Sequence, residues 1–308
     1  MDMPSRRFAA GQRISLAAVV VALVGALVLG AADAAGLPGH SADATSGSTT
    51  TTAPVTTTTL PAVTNPFMDP SIASYLAQQA KKENLTAALF DPASGQMFLY
   101  RPGVHEMGAS IDKLAILGTL LSERELHKKA LSSWEQSEIY SMIEFSSNDA
   151  ANALWDDAGG ATAVALFEKR IGMTETTCTI FLGWGELPTT ARDQVILLKA
   201  ITLPSNWLNP ADQAYMQGLM EHVTPSEFFG VGATPKPAVV GLKNGWYPWP
   251  KGWQVNTDGF VHLGKSQYLL SIMSNQTPGE MYAINVLNVL SVKLWKQLRS
   301  QGWPNSKA

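Results

Sequence analysis

The 308-residue chain has a single cysteine, Cys178, so no internal disulfide can form and the fold must rest on its core. Thr176-Thr177 and Thr179-Ile180 flank that cysteine without a histidine or a second thiol, which reads as a packed side chain. Histidine is scarce too. His40, His105, His127, His222 and His262 sit in no H-x-E or H-x-x-E-H pattern, and no G-x-S-x-G occurs, which disfavours zinc chemistry and a Ser-His-Asp hydrolase. Basic residues are few: 22 Lys and Arg leave a net charge of −3, no field for neutralising phosphates, so nucleic acid is not an expected partner. Internal repeats are absent, nothing calls for a metal or cofactor, and a monomer is expected.

What the chain does have is apolar residues, 45% of the total, enough to bury a substantial core. Their distribution divides the chain into three parts. Arg6, Arg7 and Arg13 precede a charge-free apolar run, Ile14 to Ala32, and the small residues Ala31 to Ala35 offer cleavage sites. Residues 1–35 therefore read as an export signal, with an uncleaved membrane anchor as the alternative; no cysteine near the run could accept lipid. Export would place the working part outside the cytoplasm, secreted or tethered to the cell envelope. From Ser41 to Val63 the composition collapses to Thr, Ser, Ala and Pro, which cannot bury enough apolar surface to fold, so residues 36–65 are expected to be a linker and 66–303 the folded domain.

Within that domain, Asp69-Pro70 supplies an N-cap and a proline at the first helical position, followed by Ile72, Leu76 and Ala80 at helical spacing. Leu85 to Phe90 and Met97 to Tyr100 are apolar runs separated by Asp91-Pro92-Ala93-Ser94-Gly95, a β-hairpin signature. Helical patterns dominate from Ser110 to about Met220, strands return over Val239 to Met273, and Thr277-Pro278-Gly279-Glu280 reads as a capping box opening a helix over Met281 to Leu298. The fold class expected is α+β: an antiparallel sheet flanked by the N- and C-terminal helices, with an inserted all-helical region.

Three segments carry chemistry. In Ser110-Ile111-Asp112-Lys113, serine and lysine lie one helical turn apart, so the amine can take the hydroxyl proton. The apolar residues that follow, Leu114 to Leu121, mark a buried helix whose positive end would hold Ser110. A chain of this length holds about one S-x-x-K by chance, so the motif gains weight from the other two. These are Ser146-Ser147-Asn148 and, on an expected strand, Lys243-Asn244-Gly245. In this order, with Thr189-Thr190-Ala191-Arg192-Asp193 opening a later helix, the chain resembles the penicillin-recognising serine enzymes and, within them, the class A β-lactamases. The resemblance spans about Asp69 to Leu298.

It implies that Ser110 is acylated and that Lys113 helps to deprotonate it. Ser146 would relay the proton to the leaving amine, Asn148 would hold the substrate amide, and Lys243 would bind the substrate carboxylate. The backbone N–H groups of Ser110 and Trp246, the residue after Gly245, would form the oxyanion hole. The substrate implied is a β-lactam or a peptidoglycan peptide, with a D,D-peptidase or transpeptidase and a catalytically quiet wall-binding domain as alternatives. The sequence departs from the pattern at Ser147, in place of Asp, and at Asn244, whose amide replaces the hydroxyl of K-T-G and can still donate to substrate. The interval from Ser110 to Ser146 is shorter than usual, implying a reduced helical subdomain. In the short stretch Glu175 to Pro188, Glu186 is the one carboxylate placed in sequence to act as the hydrolytic base; the alternative is a solvated loop acid. Trp246, Tyr247, Trp249 and Trp253 form either a self-packed loop or a stacking wall for substrate.

Overall fold

A computed structural model describes residues 64–304; the export segment and nearly all of the linker lie outside the described residues. Asp69 caps α1 (Pro70–Gln79), its Oδ1 accepting from the amides of Ser71 and Ile72 at 2.9 and 3.2 Å. The hairpin follows as β1 (Asn84–Asp91) and β2 (Gln96–Tyr100). After a short strand β3 (Glu106–Met107) come α2 (Lys113–Leu126), α3 (Ser133–Glu144), α4 (Asn148–Asp157) and α5 (Gly160–Ile171). Strand β4 (Pro188–Thr189) pairs with β3, α6 (Ala191–Thr202) and α7 (Pro210–Glu221) complete the helical block, and β5 (Val239–Trp249), β6 (Gly252–Leu263) and β7 (Ser266–Thr277) lead into α8 (Glu280–Ser300). The main sheet is antiparallel with order β2-β1-β7-β6-β5, so the two ends of the chain meet in its middle, at β1 and β7. This is the expected α+β arrangement.

Both faces of the sheet are covered, which is why its strands read as nearly unbroken apolar runs. Alternate residues serve opposite cores: Leu85, Ala87 and Leu89 of β1 pack with Leu287, Leu290 and Leu294 of α8, whereas Ala88 and Phe90 join Leu117, Leu120 and Leu198 of the helical block. The final helix starts differently from the expected capping box. Thr277 remains in β7, its hydroxyl donating to the Trp253 carbonyl, and Gly279 is the N-cap with no side-chain bond to the helix. The β6–β7 ladder holds the threonine extended, which overrides the local capping signal. Among the described residues no helix is long and apolar enough to cross a membrane.

The interior contains acids that sequence patterning gave no reason to place there. Asp258 of β6 is wholly buried and Glu168 of α5 nearly so, and burial drives each carboxyl up to about 8. A raised folded pKa means that the folded protein holds protons which the unfolded chain has already released above about pH 4. Stability is therefore expected to fall as pH rises from about 4 to about 8. Asp258→Asn, which mimics the protonated acid, should flatten the dependence of the thermal midpoint on pH over this window; an unchanged slope would show that Asp258 does not contribute to it.

Candidate active site

Ser110 lies in a 3₁₀ turn, Ala109–Asp112, that runs directly into α2. The turn is held by β6 and by the loop between α5 and β4. Asn256 of β6 donates to the carbonyls of Met107 and Gly108 at 2.8 and 2.9 Å. The loop between α5 and β4 supplies the Gly185 and Leu187 carbonyls, which accept from the amides of Ala109 and Gly108 at 2.9 and 3.1 Å. Asp112 Oδ2 accepts in return from the Gly185 amide at 2.8 Å. Gly108 makes that last contact possible, because a side chain there would start 1.7 Å from the Asp112 carboxylate. Burial raises the Asp112 carboxyl to about 7, opposed by the two backbone N–H groups it accepts. Ala109 has φ +54°, a left-handed conformation that costs a residue with a Cβ about 1–2 kcal/mol and that persists because these bonds over-determine the turn.

Strand β5 closes the other side. Its Gly245 lies against the turn so tightly that a Cβ would come within 2.6 Å of the Ser110 amide nitrogen. Because β5 is an edge of the sheet, alternate N–H groups face away from it without a ladder partner. An oxyanion hole needs such free donors.

The two lysines meet at one hydroxyl. Lys113 Nζ donates to Ser146 Oγ at 3.2 Å, to the Ser146 carbonyl at 2.5 Å and to Asn148 Oδ1 at 2.8 Å. Lys243 Nζ reaches the same Ser146 Oγ at 2.9 Å. Ser146 is itself left-handed, φ +55°, at the turn between α3 and α4, which aims both its carbonyl and its hydroxyl at the lysines. Next to it Ser147, in place of the expected Asp, is the N-cap of α4 and accepts from the Ala150 amide at 3.2 Å. Burial lowers Lys113 to about 7, the charge of Lys243 pushes the same way, and Glu227 opposes. At neutral pH a large share of Lys113 is thus the free amine that proton abstraction requires.

A sequence profile described as the β-lactamase enzyme family matches residues 125–298, more than half of the chain. The chain belongs to the β-lactamase enzyme family. The matched span carries Ser146, Asn148, Lys243 and Gly245 and begins downstream of Ser110 and Lys113. The fold is similar to that of a class A β-lactamase from Bacteroides cellulosilyticus, with 16% identity and a TM-score of 0.63 over 74% of this chain and 98% of that one. It is equally similar to PBP-A, at 16% identity and 0.63 over 74% and 97%, and to a β-lactamase from Desulfarculus baarsii, at 16% and 0.61 over 73% and 96%. No curated protein matches the chain in sequence. Family and fold together make it a β-lactamase-like serine hydrolase.

Several of the expected site residues have partners that the sequence does not announce. Asn244, expected to donate to substrate, is wholly buried and donates to the carbonyls of Glu227 and Phe229 at 2.5 and 3.1 Å. Lys243, expected at the substrate carboxylate, is equally buried and forms a 3.2 Å ion pair with Glu227, whose role no local spacing announces. Glu186 is exposed on the loop, and its charge adds to burial, the larger cause, in raising the Tyr247 phenol. The loop residue that does reach the lysine is Trp184: its ring lies 4.9 Å from Lys113 Nζ and its Nε1 donates to Asn152 Oδ1 at 2.9 Å. Of the four aromatics after Gly245, Trp246 and Trp253 pack toward the core beneath the sheet, Trp246 edge-on to Phe229 at 5.5 Å. Tyr247 and Trp249 pair edge to face at 5.7 Å on the strand face that also presents Lys243 and Gly245, so the self-packed and cleft-facing readings each describe half of the group.

Proposed function

We propose that the chain is exported, by its segment 1–35, to act in the cell envelope, where β-lactams or D-Ala-D-Ala-like wall peptides acylate Ser110. The observation that carries this reading is the shared hydroxyl of Ser146, within hydrogen-bond distance of both Lys113 and Lys243. The amine of Lys113 takes the Ser110 proton as Oγ bonds to the substrate carbonyl carbon. The amide N–H groups at Ser110 and Trp246 receive the charge that builds on the carbonyl oxygen. The carbon–nitrogen bond then breaks, and Ser146 passes a proton from Lys113 to the leaving nitrogen, with Lys243 holding the Ser146 hydroxyl in line. Asn148, exposed beside this relay, uses its Oδ1 on Lys113 and has its amide hydrogens for the substrate.

Trp184 favours a persistent acyl-enzyme over rapid β-lactam turnover. An indole stands beside Lys113, and Glu186, the loop carboxylate expected as the hydrolytic base, is exposed. Such a balance suits a D,D-peptidase or transpeptidase. A PBP-A variant, similar in fold with a TM-score of 0.63 at 17% identity over 73% of this chain and 94% of that one, has a structure as an acyl-enzyme with penicillin G.

A fluorescent penicillin, followed by a chromogenic cephalosporin, tests both statements. The expected result is one label per chain, absent in Ser110→Ala, that outlasts the assay without a colour change. Rapid colour would establish hydrolytic turnover instead. A folded protein that takes no label would leave a wall-binding domain without catalysis.

A further inference from the structure

The indole of Trp184 is fixed at both ends. Its backbone lies in a loop stitched to the nucleophile's turn by main-chain bonds: the Ala109 amide donates to the Gly185 carbonyl at 2.9 Å, and the Gly108 amide to that of Leu187 at 3.1 Å. At the far end of the ring, Nε1 donates to Asn152 Oδ1 at 2.9 Å. Asn152 lies four residues after Asn148 on α4, so the two side chains occupy one face of the helix on successive turns. Asn148 Oδ1 accepts from Lys113 Nζ, and Asn152 Oδ1 accepts from the ring that stands 4.9 Å over the same Nζ. One turn of α4 holds the lysine and the next holds its cover.

That cover acts on Lys113 in two opposing ways. The negative face of an aromatic ring favours an ammonium above it, whereas the carbon surface excludes the water that would solvate one. Lys113 has no exposed surface, and burial is the largest cause of its depression to about 7. Exclusion of water outweighs the attraction. The charges that act on the amine come from elsewhere: Lys243 on β5 pushes it down, and Glu227, in the turn after α7, opposes. Asp112, beside Lys113 in sequence, accepts from the Gly185 amide, while Asp149 of α4 and Glu186 of the loop are exposed. Removing the indole leaves all of these charges in place.

We propose that Trp184 is a positioning residue for acylation: tied to Asn152, its indole keeps water from the amine that takes the Ser110 proton. The inference rests on Ser110 being acylated with Lys113 as its base. Trp184 acts through that lysine alone, and the main-chain bonds that dock the loop on the turn do not depend on the ring.

Acylation of the full chain by benzylpenicillin, followed by intact-protein mass between about pH 5 and 9, tests this. With water admitted, the lysine holds its proton to higher pH. Trp184→Ala should therefore move the midpoint of the rising limb up by about one pH unit, lowering the rate about tenfold at about pH 6 while the plateau changes less. Asn152→Ala, which frees the ring without removing it, should move the midpoint the same way by less, and should add nothing in the Trp184→Ala background. Trp184→Phe, a smaller cover that cannot donate to Asn152, should fall between the wild type and the alanine variant. Rates that drop equally at every pH, with the midpoint unmoved, make Trp184 merely structural and overturn the proposal. A midpoint that moves down overturns it too, because the ring would then be holding a proton on the lysine. An unlabelled wild type, labelling that survives Ser110→Ala, or a wild-type rate with no rising limb overturns the acyl-enzyme reading beneath it instead.

Discussion

Replacing Lys113 with alanine should slow acylation of Ser110 by about 10²–10⁴-fold, the range that a positioned general base supplies. The structure gives this lysine no solvent and three hydrogen-bond partners, and it places a second ammonium on the same hydroxyl. Burial is the main reason its amine releases a proton near pH 7, and the charge of Lys243 adds to it. The direction in pH follows from the chemistry. The acting form is the neutral amine, so wild-type acylation should climb with pH through about 7 and then level off. Lys113→Ala should lose this limb as well as the rate. Acylation rates between about pH 5 and 9 decide the matter, and a wild-type profile that is flat across the range removes Lys113 from the role of base.

Gly245→Val should be nearly as damaging, for a steric reason. A Cβ at this position meets backbone, 2.6 Å from the Ser110 nitrogen and 3.0 Å from that of Ile111, so no side-chain rotation relieves the clash. Either β5 retreats or the nucleophile's turn does, and the carbonyl oxygen loses donors that must be placed to a few tenths of an ångström. Removing one such donor costs about 10²–10³ in rate, and overpacking costs about 1–3 kcal/mol in stability. Acylation and the thermal midpoint should therefore both drop, with Gly245→Ala between the wild type and the valine variant. A valine variant that matches the wild type in both would show that the strand and the turn do not need to touch.

The parts of this site that the sequence reveals are those governed by spacing along the chain. Ser110 and Lys113 are one turn apart, Ser146 and Asn148 share a helix start, and Gly245 follows Lys243 on a strand; each pair is fixed by local geometry. The same holds for the β1–β2 hairpin and the period-two division of β1 between two cores. What the sequence conceals depends on residues brought together from far apart. Glu227 reaches Lys243 across a turn whose start, Thr224-Pro225-Ser226-Glu227, is readable as a helix opening, although nothing in it names the partner. Asp112 is visible inside the S-x-x-K motif, but its bond to Gly185 depends on where a loop 73 residues later returns. Asn244 looks like a substrate donor until the carbonyls of Glu227 and Phe229 are found beside it. Trp184 stands between two glycines, a setting that suggests an exposed loop and gives no hint that its ring covers Lys113.

The solitary thiol described at the outset has a practical side. Cys178 is half-buried, its sulfur donates to the Ala161 carbonyl at 3.4 Å, and burial together with Glu168 and Asp112 pushes its pKa up to about 12. Thiolate, the form that reacts with maleimides and disulfide reagents, is therefore nearly absent at neutral pH. A spectroscopic probe or cross-linker can accordingly be attached through one cysteine introduced on the cleft rim, leaving the native Cys178 in place.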